Sequence, residues 1–316
     1  MGKNKARPKD YAPYLEFSLR RDVEGGKLRS PGEFRGKLDA HTRRECLVLV
    51  HGFNNSDSGA AEAYLAFRKR ETEIFGPADP AVLDARFGDA FWPGDADWSF
   101  FDRLDFLIYP AAVHTSVKAA PELAALLWRM PNLERVDFIA HSLGCRVVLE
   151  TLLLLRQRTL PMIGRVVLMA AAVPAEMLEY RGRFYNLLME LWAEGIPVLV
   201  LHSKKDKVLH FAFPPGQSLA GGREASDRAL GRIGPTPLMP GKEQTLTGIP
   251  IEGADHSDYW GNGDKAPSSQ ATRAAGTFLR LGDLGREVGA RRETIEPASL
   301  PDARELGVSR ELAGAG

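Results

Sequence analysis

Apolar residues along this chain fall into two alternating rhythms. Short, nearly continuous runs such as Cys46-Leu47-Val48-Leu49-Val50 and Ile196-Pro197-Val198-Leu199-Val200-Leu201 are rich in β-branched residues, the pattern of strands covered on both faces. Between such runs lie longer stretches with apolar positions at helical spacing. The pattern predicts strand 45–50, helix about 57–74, strand around 87–92, helix about 111–129, strand 135–140, helix 144–157, strand 164–171, helix about 175–194 and strand 196–202. Strands separated by helices need crossover connections, so the chain reads as α/β with a parallel sheet. Tyr14 to Arg20 alternates and predicts an added antiparallel edge strand, and Gly248 to Glu252 predicts one more strand-like piece.

The helices differ in how deeply they should pack. Helix 111–129 carries Val113, Val117, Leu123, Leu126, Leu127 and Trp128 as a core stripe, whereas helix 144–157 is apolar on most faces, through Val147, Val148, Leu149 and Leu152 to Leu155. A helix apolar nearly all round belongs deep against a sheet. Two regions break the rhythm. Residues 211–244 are dense in Gly and Pro, which excludes a long helix or central strand and predicts a flap-like insertion bearing Phe211, Phe213, Leu238 and Met239. The segment from about Gly282 to Gly316 is charged with few large apolar residues and predicts a flexible tail. The expected organisation is an N-terminal extension over 1–43, one domain over 44–281 and the tail over 282–316.

Composition narrows the function classes. The 316 residues suffice for one large core, and Lys+Arg and Asp+Glu balance at 41 each without a basic stripe, so no nucleic-acid partner is expected. No apolar run reaches the ~20 residues of a spanning helix. Met1 to Tyr14 lacks the apolar core of a secretory signal. The two cysteines, Cys46 and Cys145, support neither a disulfide framework nor a zinc site. They predict buried apolar fillers and a reducing, cytoplasmic compartment. Asp95, Asp97, Asp102 and Asp105 are too irregularly spaced for a calcium loop.

The candidate chemistry centres on Ala140-His141-Ser142-Leu143-Gly144, a serine between small residues at the junction of a strand and a helix. A sharp strand-to-helix turn lifts such a serine clear of the backbone, beside the free N–H groups of the helix start. Ala140 stands where a first glycine is usual. A serine hydroxyl needs a histidine to take its proton and a carboxylate to orient that histidine, and in this architecture the order is Ser, acid, His. Asp206, in the turn after strand 196–202, is the expected acid, with Glu176 as the alternative one strand earlier. His256, in the polar loop Gly253 to Trp260, is the expected base, with His210 in reserve. Asp255 is disfavoured because adjacent side chains of an extended loop diverge. Cys145 is disfavoured as nucleophile because the turn puts Ser142 at its tip. Upstream, His51-Gly52-Phe53 follows strand 45–50, and the Phe53 and Leu143 amides would form an oxyanion hole. Phe91-Trp92-Pro93-Gly94 reads first as packing and second as pocket lining.

Taken together, His51-Gly52-Phe53-Asn54-Asn55, Phe91-Trp92-Pro93, Ala140 to Gly144, Asp206 and Asp255-His256 resemble the α/β-hydrolase superfamily, and most of all bacterial members of unassigned substrate with HGFNN and AHS[LM]G motifs. The resemblance spans roughly residues 44 to 262. It implies an eight-stranded, mostly parallel sheet flanked by helices and a serine-esterase mechanism on small-molecule acyl esters. The expected activity is cleavage of a carboxylic ester or related acyl bond through an acyl-enzyme on Ser142, with no metal or organic cofactor. The same residues could serve an acyltransferase, or persist in a catalytically silent binding or scaffold protein. The sequence sets neither the substrate nor the oligomeric state.

Overall fold

A computed structural model describes residues 6–21, 27–53, 56–76, 84–94, 105–211, 213, 228–236, 246–263 and 265–283, the side chains of 105–109 excepted. Leu238 and Met239, most of the expected flap, and the tail beyond 283 lie outside the described residues.

Eight strands form one sheet in the order β2-β1-β4-β3-β5-β6-β7-β8. They are β1 (Leu15–Arg20), β2 (Leu28–Gly36), β3 (Glu45–Val50), β4 (Phe87–Phe91), β5 (Arg135–His141), β6 (Met162–Met169), β7 (Val198–His202) and β8 (Thr247–Pro250). Only the β1/β2 pair is antiparallel; the remaining neighbours are parallel. The helices are α1 (Asp57–Phe75), α2 (Asp105–Trp128), α3 (Gly144–Leu155), α4 (Tyr185–Ala193), α5 (Lys207–Phe211), α6 (Leu230–Ile233) and α7 (Ala266–Leu279). Helix α1 packs on α7 and α2 on α3, so the sheet is flanked by helices and its central strands are buried on both faces. That double cover is why β3 and β7 read as continuous apolar runs rather than alternating ones.

Three local expectations differ from the structure. The strand expected over 14–20 does not lie at the edge: β1 sits between β2 and β4, parallel to β4, and β2 forms the edge. All six of its residues are buried, Glu16, Ser18 and Arg20 included. Alternating polar residues here mark a covered face, on which Arg7 pairs with Glu16 at 2.7 Å. The helix expected over 175–194 is interrupted, with a 3₁₀ turn at Ala175–Met177 and α4 beginning only at Tyr185. Arg181 has φ 67°, in the left-handed region, and the Phe184 N–H donates back to the Met177 carbonyl at 2.7 Å. This closed loop overrides helical spacing. Helix α2 starts earlier than expected and runs through Pro110.

Residues 229–231, inside the Gly/Pro-rich stretch, are tied to the loops that follow β6 and β7. Ala229 bridges Pro174, the Leu230 and Gly231 N–H groups donate to Val173 and Ala171, each at 2.9 Å, and Ser203 N–H donates to the Gly231 carbonyl at 3.0 Å. A Cβ at Gly231 would collide with the Ala170–Ala171 backbone. Only glycine permits this approach.

Candidate active site

In a parallel sheet every strand delivers its following loop to the same side, so residues far apart in sequence converge beyond the carboxyl ends. Here β3 leads to His51–Phe53, β5 to Ser142, β7 to Asp206 and β8 to His256. The cavity of about 500 Å³ between Leu155–Thr159 and Pro161–Ile163 contains none of these residues.

Ser142 occupies a sharp turn with φ 54°, a left-handed conformation that costs a non-glycine residue free energy unless the surroundings fix it. They do so here. The Ser142 N–H donates to Met169 at 2.9 Å, and the Ser142 carbonyl accepts from Ala172 and Cys145, each at 3.1 Å. Gly144, at the start of α3, abuts the His51 carbonyl, and a Cβ there would lie 2.7 Å from the Val50 carbonyl oxygen. The glycine therefore lets the helix start press against the end of β3.

Ser142 Oγ lies 2.8 Å from His256 Nε2, and His256 Nδ1 lies 2.8 Å from Asp206 Oδ2. The Asp206 side chain is fully buried and that of His256 is 16% exposed. The second Asp206 oxygen, Oδ1, accepts the Leu209 N–H at 2.9 Å, which anchors the carboxylate at the start of α5. A buried carboxylate accepting at Nδ1 holds the imidazole with its lone pair at Nε2, facing the hydroxyl. The alternatives weighed from sequence lie elsewhere. Glu176 accepts from Arg228 at 3.0 Å, and exposed His210 lies tilted against Phe211, with ring centroids 4.4 Å apart. Asp255 Oδ1 accepts the backbone N–H groups of His256 at 2.9 Å and Lys207 at 3.2 Å, joining the His256 loop to the Asp206 turn. Cys145 is buried, and burial pushes its thiol well above the ordinary range. Cys46 is raised to about 11 by burial.

The loop after β3 is pressed against the serine turn. A Cβ on Gly52 would stand 2.7 Å from Ser142 Cβ and 3.0 Å from His141 Nδ1. The loop is held from behind: Tyr64 Oη accepts the His51 N–H at 2.8 Å and donates to Ala90 at 2.7 Å, while Trp92 Nε1 donates to the His51 carbonyl at 2.8 Å. Trp92 is fully buried and stacks on His51 at 5.7 Å, so it buttresses the loop rather than lining a pocket. His51 is buried and pushed down to about 4 by desolvation. Its Nδ1–H donates to the Gly52 carbonyl at 2.8 Å. Phe53 is partly buried against the core, and Leu143 is the N-cap of α3.

Sequence reasoning passed over two residues that this geometry brings forward. His141 Nε2 lies 2.8 Å from the His256 carbonyl, and Tyr64 braces the loop from α1. The signal for His141 was its place directly before the serine; nothing local marked Tyr64.

Residues 29–214, more than half of the chain, match the family described as "Alpha/beta hydrolase of unknown function (DUF900)". The chain belongs to this family. No curated protein matches the chain. Among solved structures, an uncharacterized protein from Bacillus cereus ATCC 10987 aligns with TM-score 0.40 and 14% identity over 76% of this chain; the chain spans only 61% of that protein's length. Est1E from Butyrivibrio proteoclasticus, solved with ferulic acid, aligns with TM-score 0.37 and 14% identity over 78% of this chain and 93% of its own. Carboxylesterase CesB from Bacillus subtilis aligns with TM-score 0.35 and 14% identity over 74% of this chain and 83% of its own. Among the described residues, no His/Cys/Asp/Glu cluster suits a metal ion and no helix is long and apolar enough to cross a membrane.

Proposed function

We propose that this α/β hydrolase is a serine hydrolase that cleaves a carboxylic ester or closely related acyl bond through an acyl-enzyme on Ser142. The observation that carries the reading is the unbroken relay from Ser142 Oγ to His256 Nε2 at 2.8 Å and from His256 Nδ1 to Asp206 at 2.8 Å. In the proposed reaction His256 takes the Ser142 proton as Oγ attacks the acyl carbon. The Phe53 and Leu143 N–H groups hold the resulting oxyanion. The proton then passes from His256 to the leaving alcohol as the ester bond breaks, leaving the acyl group on Oγ. Water, deprotonated by the same imidazole, attacks the acyl-enzyme and releases the carboxylic acid, and Ser142 recovers its proton. Asp206 stabilises the imidazolium that forms.

Four loops from four strands bring a strained serine, a base, a buried acid and a close-packed glycine loop to one rim, and packing alone would not demand this combination of residue types. A fluorophosphonate probe tests the reading directly, because it reacts with a serine only where a base and an oxyanion site activate it. The wild type should be labelled and should hydrolyse short-chain aryl esters, and Ser142→Ala should do neither. A folded wild type that resists the probe and leaves a panel of aryl esters of increasing acyl length untouched would refute it.

A further inference from the structure

The base loop, Gly253 to Trp260, is shaped by bonds within itself and beside itself. His256 N–H donates to Asp255 Oδ1 at 2.9 Å, Asp255 N–H to Asp258 Oδ2 at 2.9 Å, and Lys265 Nζ to Asp258 Oδ1 at 2.9 Å. Its longer-range ties run to the acid's turn, through Lys207 N–H to Asp255 Oδ1 at 3.2 Å, and to α1, where Trp260 packs edge-on against Tyr64 and Phe67; just before the loop, Ile251 N–H donates to the His202 carbonyl at 2.8 Å. These contacts fix the base relative to the acid. The tie to the nucleophile's strand comes from one side chain: His141, the last residue of β5 and the direct neighbour of Ser142, places Nε2 2.8 Å from the main-chain oxygen of His256.

A carbonyl only accepts, so His141 is the donor and carries its proton on Nε2. The ring is 5% exposed, and its Nδ1 is buried without a partner against the Gly52 backbone. Desolvation, with the nearby His256 ring adding to it, pushes His141 down to about 3, so the donor persists as a neutral imidazole across the working range of a serine hydrolase. The two rings stand 4.8 Å apart between centroids.

We propose that His141 is a positioning residue whose Nε2–H, bonded to the His256 carbonyl, sets the distance between the base and the nucleophile. This rests on the serine-hydrolase reading above. Residue 141 is covalently joined to the nucleophile and hydrogen-bonded to the main chain of the base, so it forms the shortest bridge between the two apart from the catalytic contact itself. Loss of the bridge leaves the Asp206 anchor at Leu209 in place but lets the His256 main chain drift from the hydroxyl. A displacement of about 1 Å at a reacting pair costs on the order of 100-fold in rate.

The test compares two polar replacements that differ in reach. In His141→Gln the amide N–H extends to the position of the imidazole Nε2; in His141→Asn it stops near the position of Nδ1 and falls short of the carbonyl. Both variants and the wild type are first checked for native far-ultraviolet dichroism and thermal melting. They are then assayed for kcat and KM on a short-chain aryl ester and for the second-order rate of fluorophosphonate labelling. His141→Gln should keep most of the wild-type rate, and His141→Asn should lose roughly 10- to 100-fold in kcat and in labelling rate with KM little changed. Equal rates in the two variants, whether both high or both low, overturn the inference, since the donor's reach would then not matter. An unlabelled wild type instead overturns the serine-hydrolase reading.

Discussion

Replacing Asp206 by asparagine separates the electronic role of this side chain from its structural one. Asp206 Oδ1 accepts the Leu209 N–H at 2.9 Å and Oδ2 faces His256 Nδ1 at 2.8 Å, in a fully buried setting. Asparagine is isosteric, and its amide oxygen can keep the Leu209 bond, so α5 retains its start and the fold its stability. The amide nitrogen then faces His256 Nδ1. Two donors cannot share that contact, so the imidazole moves its proton to Nε2 and presents an N–H, rather than a lone pair, to Ser142 Oγ. The base is lost without loss of any heavy atom. Triads forced into this tautomer lose on the order of 10⁴ in kcat, equivalent to about 5.5 kcal/mol of transition-state stabilisation. Steady-state hydrolysis of an aryl ester measures the loss, and a thermal melt shifted by no more than about 4 °C, corresponding to ~1 kcal/mol, shows that folding is intact. A folded Asp206→Asn variant that retains more than about one tenth of wild-type kcat would refute the assignment of Asp206 as the orienting acid.

Two further predictions concern stability away from the site. Glu71, on α1, is fully buried with neither carboxyl oxygen partnered, and it presses on Gly276 of α7. Burial holds its carboxyl well above the ordinary value of 4.5, only partly offset by Arg273. The folded chain thus keeps a proton that the unfolded chain gives up above pH 4.5, and the contribution of this group to stability falls as pH rises from there towards the folded value. Glu71→Met should therefore stabilise the protein at pH 7 by about 1–3 kcal/mol, with an advantage over wild type in urea unfolding that shrinks as pH is lowered to 4. An advantage independent of pH would show that Glu71 is not held protonated. Arg7 bonds both Asp57 oxygens, at 2.5 and 2.7 Å, and Glu16 at 2.7 Å, and its guanidinium lies 4.2 Å over the Phe91 ring. Arg7→Gln takes the guanidinium from the largely buried Asp57 and leaves Glu16 with only Arg35 at 3.7 Å, and should cost roughly 3 kcal/mol by the same urea assay; a change below about 0.5 kcal/mol would show that the Arg7 contacts contribute nothing to the fold.

Much of the fold was legible because burial on both faces writes itself into composition. The central strands carry continuous β-branched runs, and β3, β5, β6 and β7 begin or end within two residues of their expected positions. The exceptions have a common cause. At β1, polar Glu16 is buried because Arg7 and Arg35 of the edge strand β2 pair with it, which no local alternation reveals. At 175–194, helical spacing yields to a loop closed by Phe184 on Met177.

The site divides along the same line. The sequence alone determined which chemical groups are present and in what order: a serine between small residues at a strand-to-helix junction, an acid after a later strand, a histidine after another, and a glycine after His51. These are local consequences of backbone geometry, since a tight turn or a close approach dictates its own residue types. Only the tertiary structure decided that Ser142, Asp206 and His256 stand within 2.8 Å of one another in series, that Glu176 and His210 do not, and that His141 reaches the main chain of His256. Those distances depend on parallel strand order and register. They are set by the packing of the whole sheet, and no window of sequence contains them.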